Sequence, residues 1–350
     1  MRHLKAVLEA SLLGDIENTL NTSDYDTACV VINEFIKNNY HTKQKYKIKK
    51  RPNKDGKYIV NFAKNGYVEL LESATSFTND LFVIGFCNVL TIRSNNIVNL
   101  VGAPETVCNL HIENCHNFQS FEGMPKFLTQ SSPTLSLRNL AITDLMSLDK
   151  YLNIPEEIRL LIANCQKLTS LKGCPTKLND LTLAWCDSLK NLSGGPDYVN
   201  NIELAFCKGL QSLEGCPKHI GDGKWIHGID INNCNKLTSL EGCPDCINGV
   251  INIEVCEKIM TLEGCPKHVN SFSCRSLPIV SLKGAPEIVD NLFCVDLCDN
   301  FTSLEGCPKV VKGKFAIERC MNINFTENDI KTICQTDKIY FWANGKNSQL

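Results

Sequence analysis

Twenty cysteines stand out in this chain of 350 residues, because thiols bind metal ions, form disulfides and act as nucleophiles. A structural zinc site needs four ligands that converge on one point. Eight of the cysteines instead occupy one position of a sequence repeat, which spreads their sulfur atoms along a line. They are Cys115, Cys165, Cys186, Cys207, Cys234, Cys256, Cys298 and Cys320. Their placement predicts buried packing residues and neither a metal site nor a redox array.

Two shorter spacings imitate zinc ligands. Cys243-Pro-Asp-Cys246 is a C-x-x-C pair, but no second pair of cysteines or histidines accompanies it. Cys108, His111 and Cys115 also lie close in sequence, yet on a strand His111 would face outward and Cys115 inward. We therefore expect no metal and no cofactor.

A basic strip could contact phosphate groups. Lys43, Lys45, Lys47 and Lys49 would share one face of a strand, with Tyr46 among them. Lysines on an edge strand also prevent aggregation, and we favour that interpretation. The alternative is contact with nucleic acid phosphates, with Tyr46 as a stacking neighbour.

The elements that position these residues come from a repeated phrase. Leu-Thr-Ser-Leu-Glu-Gly-Cys-Pro stands at 237–244, and five close copies occur elsewhere. A period near 21 residues predicts one short coil per repeat, stacked into a solenoid. The copies are at 168–175, 210–217, 259–266, 279–286 and 301–308.

One coil shows how the repeat would fold. Ile229 and Ile231 alternate with polar residues, so both should point inward from a strand. Cys234 then marks a corner, and Leu237 and Leu240 return to the core along an irregular segment. The glycine and the proline of the phrase bend the chain again.

Eleven segments fit this frame, with cysteine at eight corners and Asn95, Leu140 and Leu277 at the others. At about 4.8 Å per coil, the stack would be roughly 50 Å long. A disulfide needs Cβ atoms about 3.8 Å apart in a specific torsion, which stacked corner residues do not provide. We therefore expect free thiols, in a reducing compartment such as the cytoplasm.

The frame Leu-x-Ile-x-x-Cys/Asn-x-x-Leu resembles the leucine-rich repeat over residues 88–325, although the Gly-Cys-Pro turn and the scarcity of corner Asn depart from it. The phrase Leu-Glu-Gly-Cys/Ala-Pro is also similar to that of leucine-rich-repeat-like proteins encoded by bacteriophages. The resemblance implies a phage-encoded solenoid and carries no activity. Cys294-Val-Asp296 matches the Cys-x-Asp of bacterial leucine-rich-repeat ubiquitin ligases, but it lies inside a repeat strand with no room after it for their catalytic domain.

We thus expect a β-rich α+β fold, a right-handed parallel β-solenoid of leucine-rich-repeat type with about eleven coils. Its parts would be a small α+β N-terminal capping unit at 1–80, the solenoid at 81–325 and a C-terminal cap at 326–350. Thr326 could start a short helix, followed by a strand at 338–342. The capping unit would hold helices at 4–20 and 25–38 and strands at 44–50, 57–62 and 67–70.

Net charge and hydropathy limit the expected location of the protein and its classes of partner. The net charge of −2 provides no global field that would attract nucleic acid or a membrane. No apolar run of about 18 residues could span a bilayer, and the first residues lack the features of a signal peptide. We expect a cytoplasmic protein, in the host cell if it is phage-encoded, with the virion as the alternative.

The outward strand positions are the ones that the core does not dictate. They are small and apolar near Leu161 and Ala184, and acidic from Asp230 onward. Trp185 and Phe206, one repeat apart, either form an interface hot spot or tuck against the coil edge. The candidate protein-binding residues are Leu161, Ala184, Trp185, Glu203, Phe206, Trp225, Asp230, Glu254, Asp296 and Glu318.

No phosphate-binding loop, nucleophile elbow or zinc-protease motif occurs. Stacked carboxylates such as Glu203 and Asp230 are usually solvated. We therefore expect a non-enzymatic scaffold that binds a host or phage protein through the strand face of the solenoid. The alternatives are a virion structural or accessory component, and a nucleic-acid-associated protein that uses the strip 43–51.

Overall fold

The computed structural model describes residues 25–64, 66–128, 132–153, 158–221, 228–343 and 346–348. Over these residues the chain is β-rich, with few helices and about twelve turns of parallel β-solenoid. It divides into two compact units, Met1–Ser131 and Ser132–Leu350. The border falls inside the segment predicted as solenoid, because strands on either side of residue 80 pair with each other.

The first unit combines one helix with seven strands among its described residues. The helix expected at 4–20 lies outside them. The elements are α1 (Tyr25–Asn39), β1 (Tyr40–His41), β2 (Tyr46–Ile48), β3 (Tyr58–Phe62), β4 (Tyr67–Leu70), β5 (Phe82–Ile92), β6 (Thr106–Glu113) and β7 (Lys126–Phe127).

Helix α1 packs on the strands through an apolar face. Ala28, Ile32 and Ile36 recur at helical spacing and are buried. Phe35 meets Phe82 of β5 edge to face, with ring centroids 5.3 Å apart. Strands β2 and β3 form the predicted antiparallel hairpin, while β3 and β4 both run parallel to β5. The helix predicted at 25–38 is confirmed.

The second unit consists mainly of stacked parallel strands. Between β8 and β18, neighbouring strands pair in parallel. The elements are β8 (Thr134–Arg138), a 3-10 turn (Leu148–Lys150), β9 (Arg159–Ala163), β10 (Lys177–Ala184), β11 (Tyr198–Ala205), β12 (His219–Ile220), β13 (Gly228–Asn232), β14 (Cys246–Glu254), β15 (His268–Arg275), β16 (Ile288–Asp296), β17 (Val310–Cys320), α2 (Glu327–Ile333), β18 (Gln335–Ala343) and β19 (Lys346–Ser348).

The register confirms the inward and outward assignment. Ile229 pairs with Ile202 on one side and with Ile251 on the other. Ile231 pairs in the same way with Leu204 and Ile253, and its side chain is fully buried. Equivalent apolar residues therefore stack into continuous columns, which is how a coil too small for its own core excludes water.

The corner cysteines are buried donors. Cys115, Cys207 and Cys234 are each 0% exposed. The sulfur of Cys115 lies 3.3 Å from the carbonyl oxygen of Glu113, and that of Cys207 lies 3.5 Å from the carbonyl oxygen of Leu183, one coil earlier. The thiol thus provides a weak hydrogen bond to the turn in addition to its packing.

One predicted corner is wrong. Asn95 is exposed, and Ser94 occupies the buried place instead. The Ser94 hydroxyl donates to the carbonyl oxygen of Ala74 at 2.6 Å. Leu140 and Leu277, the other two corners without cysteine, are buried as predicted, so the shift is confined to this coil.

The glycine of the repeated phrase is required by close backbone approach. Gly123 stands in Phe-Glu-Gly-Met-Pro at 121–125, a looser copy of the phrase. It has φ of 82°, and a Cβ placed there would lie 2.3 Å from the carbonyl oxygen of Leu100 in the preceding coil. Any side chain at this position would push two coils apart.

The C-terminal helix and strand are confirmed. Thr326 and Asp329 form a capping box at the start of α2. Strand β18 then pairs in parallel with β17, and Phe315 and Ile317 face Ile339 and Phe341. Strand β18 is therefore one further coil of the solenoid, which the sequence-based count of eleven omitted.

Candidate functional site

The strand face of the second unit presents three rows of residues in register. Rows one and two are the outward strand positions, and the ridge is the residue just before each corner. Row one runs Leu161, Thr182, Glu203, Asp230, Asn252, Ser273 and Cys294. Row two runs Ala163, Ala184, Ala205, Asn232, Glu254, Arg275, Asp296 and Glu318. The ridge runs Asn164, Trp185, Phe206, Asn233, Val255, Ser276, Leu297 and Arg319.

Every ridge residue has a left-handed backbone, with φ between 50° and 55°. The backbone N–H of a ridge residue donates to the next coil and so continues the hydrogen bonds of the sheet. Trp185 N–H donates to the carbonyl oxygen of Ala205 at 3.0 Å, and Phe206 N–H donates to that of Asn232 at 2.8 Å. Asparagine adopts this conformation readily, and Asn164 and Asn233 hold it on either side. Trp185 and Phe206 are thus strained residues, which the surrounding ladder holds in place.

The two aromatic rings stack on each other. Their centroids are 5.1 Å apart and their planes differ by 6°. Trp185 is 48% exposed, whereas Phe206 is half-buried. Of the two alternatives for this pair, Trp185 follows the exposed one and Phe206 lies partly against the coil edge.

Below the rings, row two is a strip of alanines. Ala163, Ala184 and Ala205 form a buried apolar cluster, and Leu161 and Phe206 pack against it. Ala184 is only 6% exposed, so it offers little surface of its own to a partner. Its methyl group is too short to project past its neighbours. It serves as the floor of an apolar patch, which we call the aromatic patch (Leu161, Trp185, Phe206 and the three alanines).

Acidic residues border the aromatic patch on one side. Glu203 is exposed and accepts a hydrogen bond from the Thr182 hydroxyl at 3.2 Å. Asn252 donates to Asp230 at 3.1 Å and to Glu254 at 3.3 Å. In the part of the chain that the structure describes, neither Asp230 nor Glu254 forms an ion pair, so both carboxylates keep their charge available.

Farther along, the expected acidic stripe is interrupted. Asp296 is only 6% exposed, and Arg319 Nε donates to its Oδ1 at 2.8 Å. Arg275 Nε lies 3.5 Å from the same carboxylate, and Lys314 pairs with Glu318 at 3.3 Å. The hydrogen bond to Asp296 raises the pKa of Arg319. The charges of Asp296 and Glu318 are therefore neutralised by neighbouring cations. Asp296 is also buried, so its assignment as an accessible acidic contact is wrong.

The sequence-based account missed these arginines because it followed only acidic residues. Arg275 occupies row two, between Glu254 and Asp296, and Arg319 occupies the ridge. Both could have been found by asking which cations fall in the same repeat positions as the acids.

The thiol of Cys294, in row one of this face, is unsuited to nucleophilic chemistry. Cys294 is 9% exposed, and burial, with the neighbouring charges of Glu318 and Asp296, raises its pKa to about 12. A protonated thiol is a poor nucleophile. The described residues contain no group of three or more His, Cys, Asp or Glu side chains that could hold a metal ion.

The remaining candidates lie elsewhere. Trp225 is outside the described residues. Lys43, Lys45, Lys47 and Lys49 belong to the first unit, and all four are exposed. Tyr46, expected as their stacking neighbour, faces the other way, because its hydroxyl donates to Asn33 at 2.7 Å and its ring packs on Phe62.

Among the described residues, none of the helices is long and apolar enough to cross a membrane. Comparison of the chain with protein-family models, with curated proteins and with solved structures found no match.

Proposed function

We propose that the chain is a non-enzymatic scaffold of leucine-rich-repeat type, with an N-terminal cap, that binds a protein partner through the aromatic patch. The observation that carries the proposal is an exposed Trp185–Phe206 stack at ridge positions where the backbone suits asparagine. Large side chains in that conformation cost about 1–3 kcal/mol each, and such strain tends to concentrate at functional sites.

The chemistry of the patch fits a protein partner. Trp is enriched at interface hot spots, where a ring surrounded by apolar neighbours excludes water. Leu161 and the alanine strip supply those neighbours, and the strip lets the partner's side chains approach the strands. Affinity would come mainly from burial of Trp185, since the half-buried Phe206 chiefly supports it.

Charge at the rim suggests the nature of the partner. Glu203, Asp230 and Glu254 border the patch, and the last two form no ion pair in the described part of the chain. A partner with an apolar segment flanked by lysines or arginines would complement this arrangement and would be steered toward it. The resemblance to phage-encoded proteins favours a host or phage protein, met in the host cytoplasm.

The test replaces both aromatics with the residue that neighbouring coils use, Trp185→Asn with Phe206→Asn. The fold should persist, because asparagine relieves the left-handed strain. A protein captured from host lysate by the wild type should be lost, and titration with that protein should show affinity weaker by at least about 30-fold, or about 2 kcal/mol.

The matched control is Val255→Asn with Leu297→Asn, which relieves the same backbone strain outside the patch. The control should capture the same protein as the wild type. If the aromatic variant keeps full affinity, the proposal fails and the interface lies on another surface.

A further inference from the structure

The hairpin of the first unit has a charge that the fold does not explain. Residues 43–64 contain nine lysines and arginines against one acid, Asp55, a net charge of +8 in a chain whose total is −2. Such a local excess on a nearly neutral protein creates a strong field over one small surface.

The structure separates this charge onto one face. Lys43, Lys45, Lys47 and Lys49 are exposed, while the residues between them, Gln44, Tyr46 and Ile48, are half-buried. No ion pair within the described residues involves any of the four lysines. Four unneutralised charges in a row repel one another, so the arrangement costs stability unless an anion is bound.

Protection of an edge strand does not account for it. Strand β2 has three residues, Tyr46–Ile48, and β3 is its only partner among the described strands. One or two lysines blunt so short an edge. The charges nevertheless continue past the strand through Lys50, Arg51 and Lys54, all of them exposed.

We propose that this lysine face binds the phosphate backbone of nucleic acid without regard to base sequence. Lys47 lies in β2, and backbone hydrogen bonds of Lys45 and Lys49 continue the pairing on either side of it. Alternate residues of such an extended segment lie about 6.7 Å apart, which suits successive phosphates of an extended polynucleotide. Lysine acts as a point charge on phosphate, whereas reading of bases favours the bidentate guanidinium of arginine. Tyr46 is held by Asn33 and Phe62, so it does not stack on bases.

An anionic membrane is the less suitable ligand. Basic segments attract anionic lipids by charge, but firm attachment to a membrane commonly adds apolar side chains that enter the bilayer. None of the exposed large hydrophobic residues of the protein falls within 43–57. The lysine face offers charge alone, and this site is independent of the aromatic patch.

The experiment is fluorescence anisotropy of the full chain with labelled 20-mer oligonucleotides, single-stranded and duplex, over a range of salt concentrations. Four contacts on a single strand give a salt slope of about −2.8, so a fourfold rise in salt should weaken binding about 50-fold. The variant in which Lys43, Lys45, Lys47 and Lys49 are all changed to Gln should have a salt slope smaller in magnitude by about 2.8. The same four changed to Arg should keep the wild-type slope.

The matched control changes four exposed lysines of the second unit, Lys190, Lys208, Lys236 and Lys258, to Gln. It should bind oligonucleotides like the wild type, and a scrambled oligonucleotide sequence should make no difference. The duplex arm shows which form of the backbone is preferred. Equal binding by the hairpin Gln variant, or binding to phosphatidylserine vesicles with none to oligonucleotides, would overturn the proposal.

Discussion

At the ridge of the second unit, the backbone is left-handed whichever residue stands there. Asn164, Trp185 and Val255 differ in size and polarity, yet their φ angles are 55°, 52° and 53°. The ladder of amide hydrogen bonds and the buried corner thiol that follows impose the conformation. A tryptophan suits this conformation poorly, so its exposed ring at Trp185 is informative about what the surface does.

A prediction at the residue scale concerns thiol reactivity. All twenty cysteines are free, and Cys246 is the one whose residue is exposed, the others being half-buried or buried. Alkylation with iodoacetamide at pH 8, followed by peptide mapping, should label Cys246 first and Cys207 and Cys234 only after unfolding. The corner thiols are protected because their side chains are buried and the reagent cannot reach the sulfur atoms.

Two controls accompany that measurement. Cys246→Ser should remove the fast phase, and alkylation in denaturant without reductant should count twenty thiols. A corner thiol that reacts in the folded protein as fast as Cys246, or a count well below twenty, would contradict the account of the buried corners.

At the scale of the element, one coil is a strand, a corner, an irregular return and a glycine turn. A coil buries its apolar residues only against the coils before and after it. The turn decides how closely they stack, as the backbone contact between Gly123 and Leu100 shows. The glycine therefore has a role in packing between coils as well as in the turn itself.

This leads to a prediction about two glycines of the first unit. Gly123 and Gly56 both have positive φ, but a Cβ at Gly56 would meet nothing within 4 Å. Gly56→Ala should cost about 1–2 kcal/mol, the usual penalty for a left-handed L-residue. Gly123→Ala should cost about 1–3 kcal/mol more, because Leu100 must move. Urea unfolding measures both, and equal losses would show that the coils are not in tight contact at this turn.

At the scale of the whole molecule, the corner thiols form a large reserve of buried titratable groups. Burial raises the pKa of Cys115 and Cys320 to about 12 and that of Cys165 and Cys256 to about 11, from an ordinary value of 9.0. The unfolded chain would lose these protons near pH 9, whereas the folded chain retains them. The folded state is therefore favoured most below pH 9.

The consequence is alkaline unfolding. Stability should be constant up to about pH 8 and then fall as the pH rises toward the folded pKa values, by about 1.4 kcal/mol per pH unit for each thiol. Thermal melts between pH 7 and pH 10.5 test this. Cys165→Ala with Cys256→Ala should reduce the pH dependence by two thiols. An unchanged dependence in that variant would assign it to lysines or tyrosines.

Much of this architecture follows from the sequence alone. The period near 21 residues, the alternation around residues such as Ile231, and the free thiols were all predictable, because each depends on spacing within one coil and its repetition. The helix at 25–39 and the hairpin before β4 could be predicted for the same reason, since capping, periodicity and turn residues are local signals.

The exposure and charge of the outward residues depend on the tertiary structure. Asp296 is neutralised by Arg319, which lies 23 residues away in sequence, and Tyr46 turns from the lysines toward Asn33, 13 residues away. Ala184 lies at the base of the aromatic patch because larger side chains on adjacent coils pack against the alanine cluster. The left-handed ridge that displays Trp185 arises from bonds between coils. Local patterns determine which residues face outward, but contacts across coils determine which of them keep a free charge or an exposed ring.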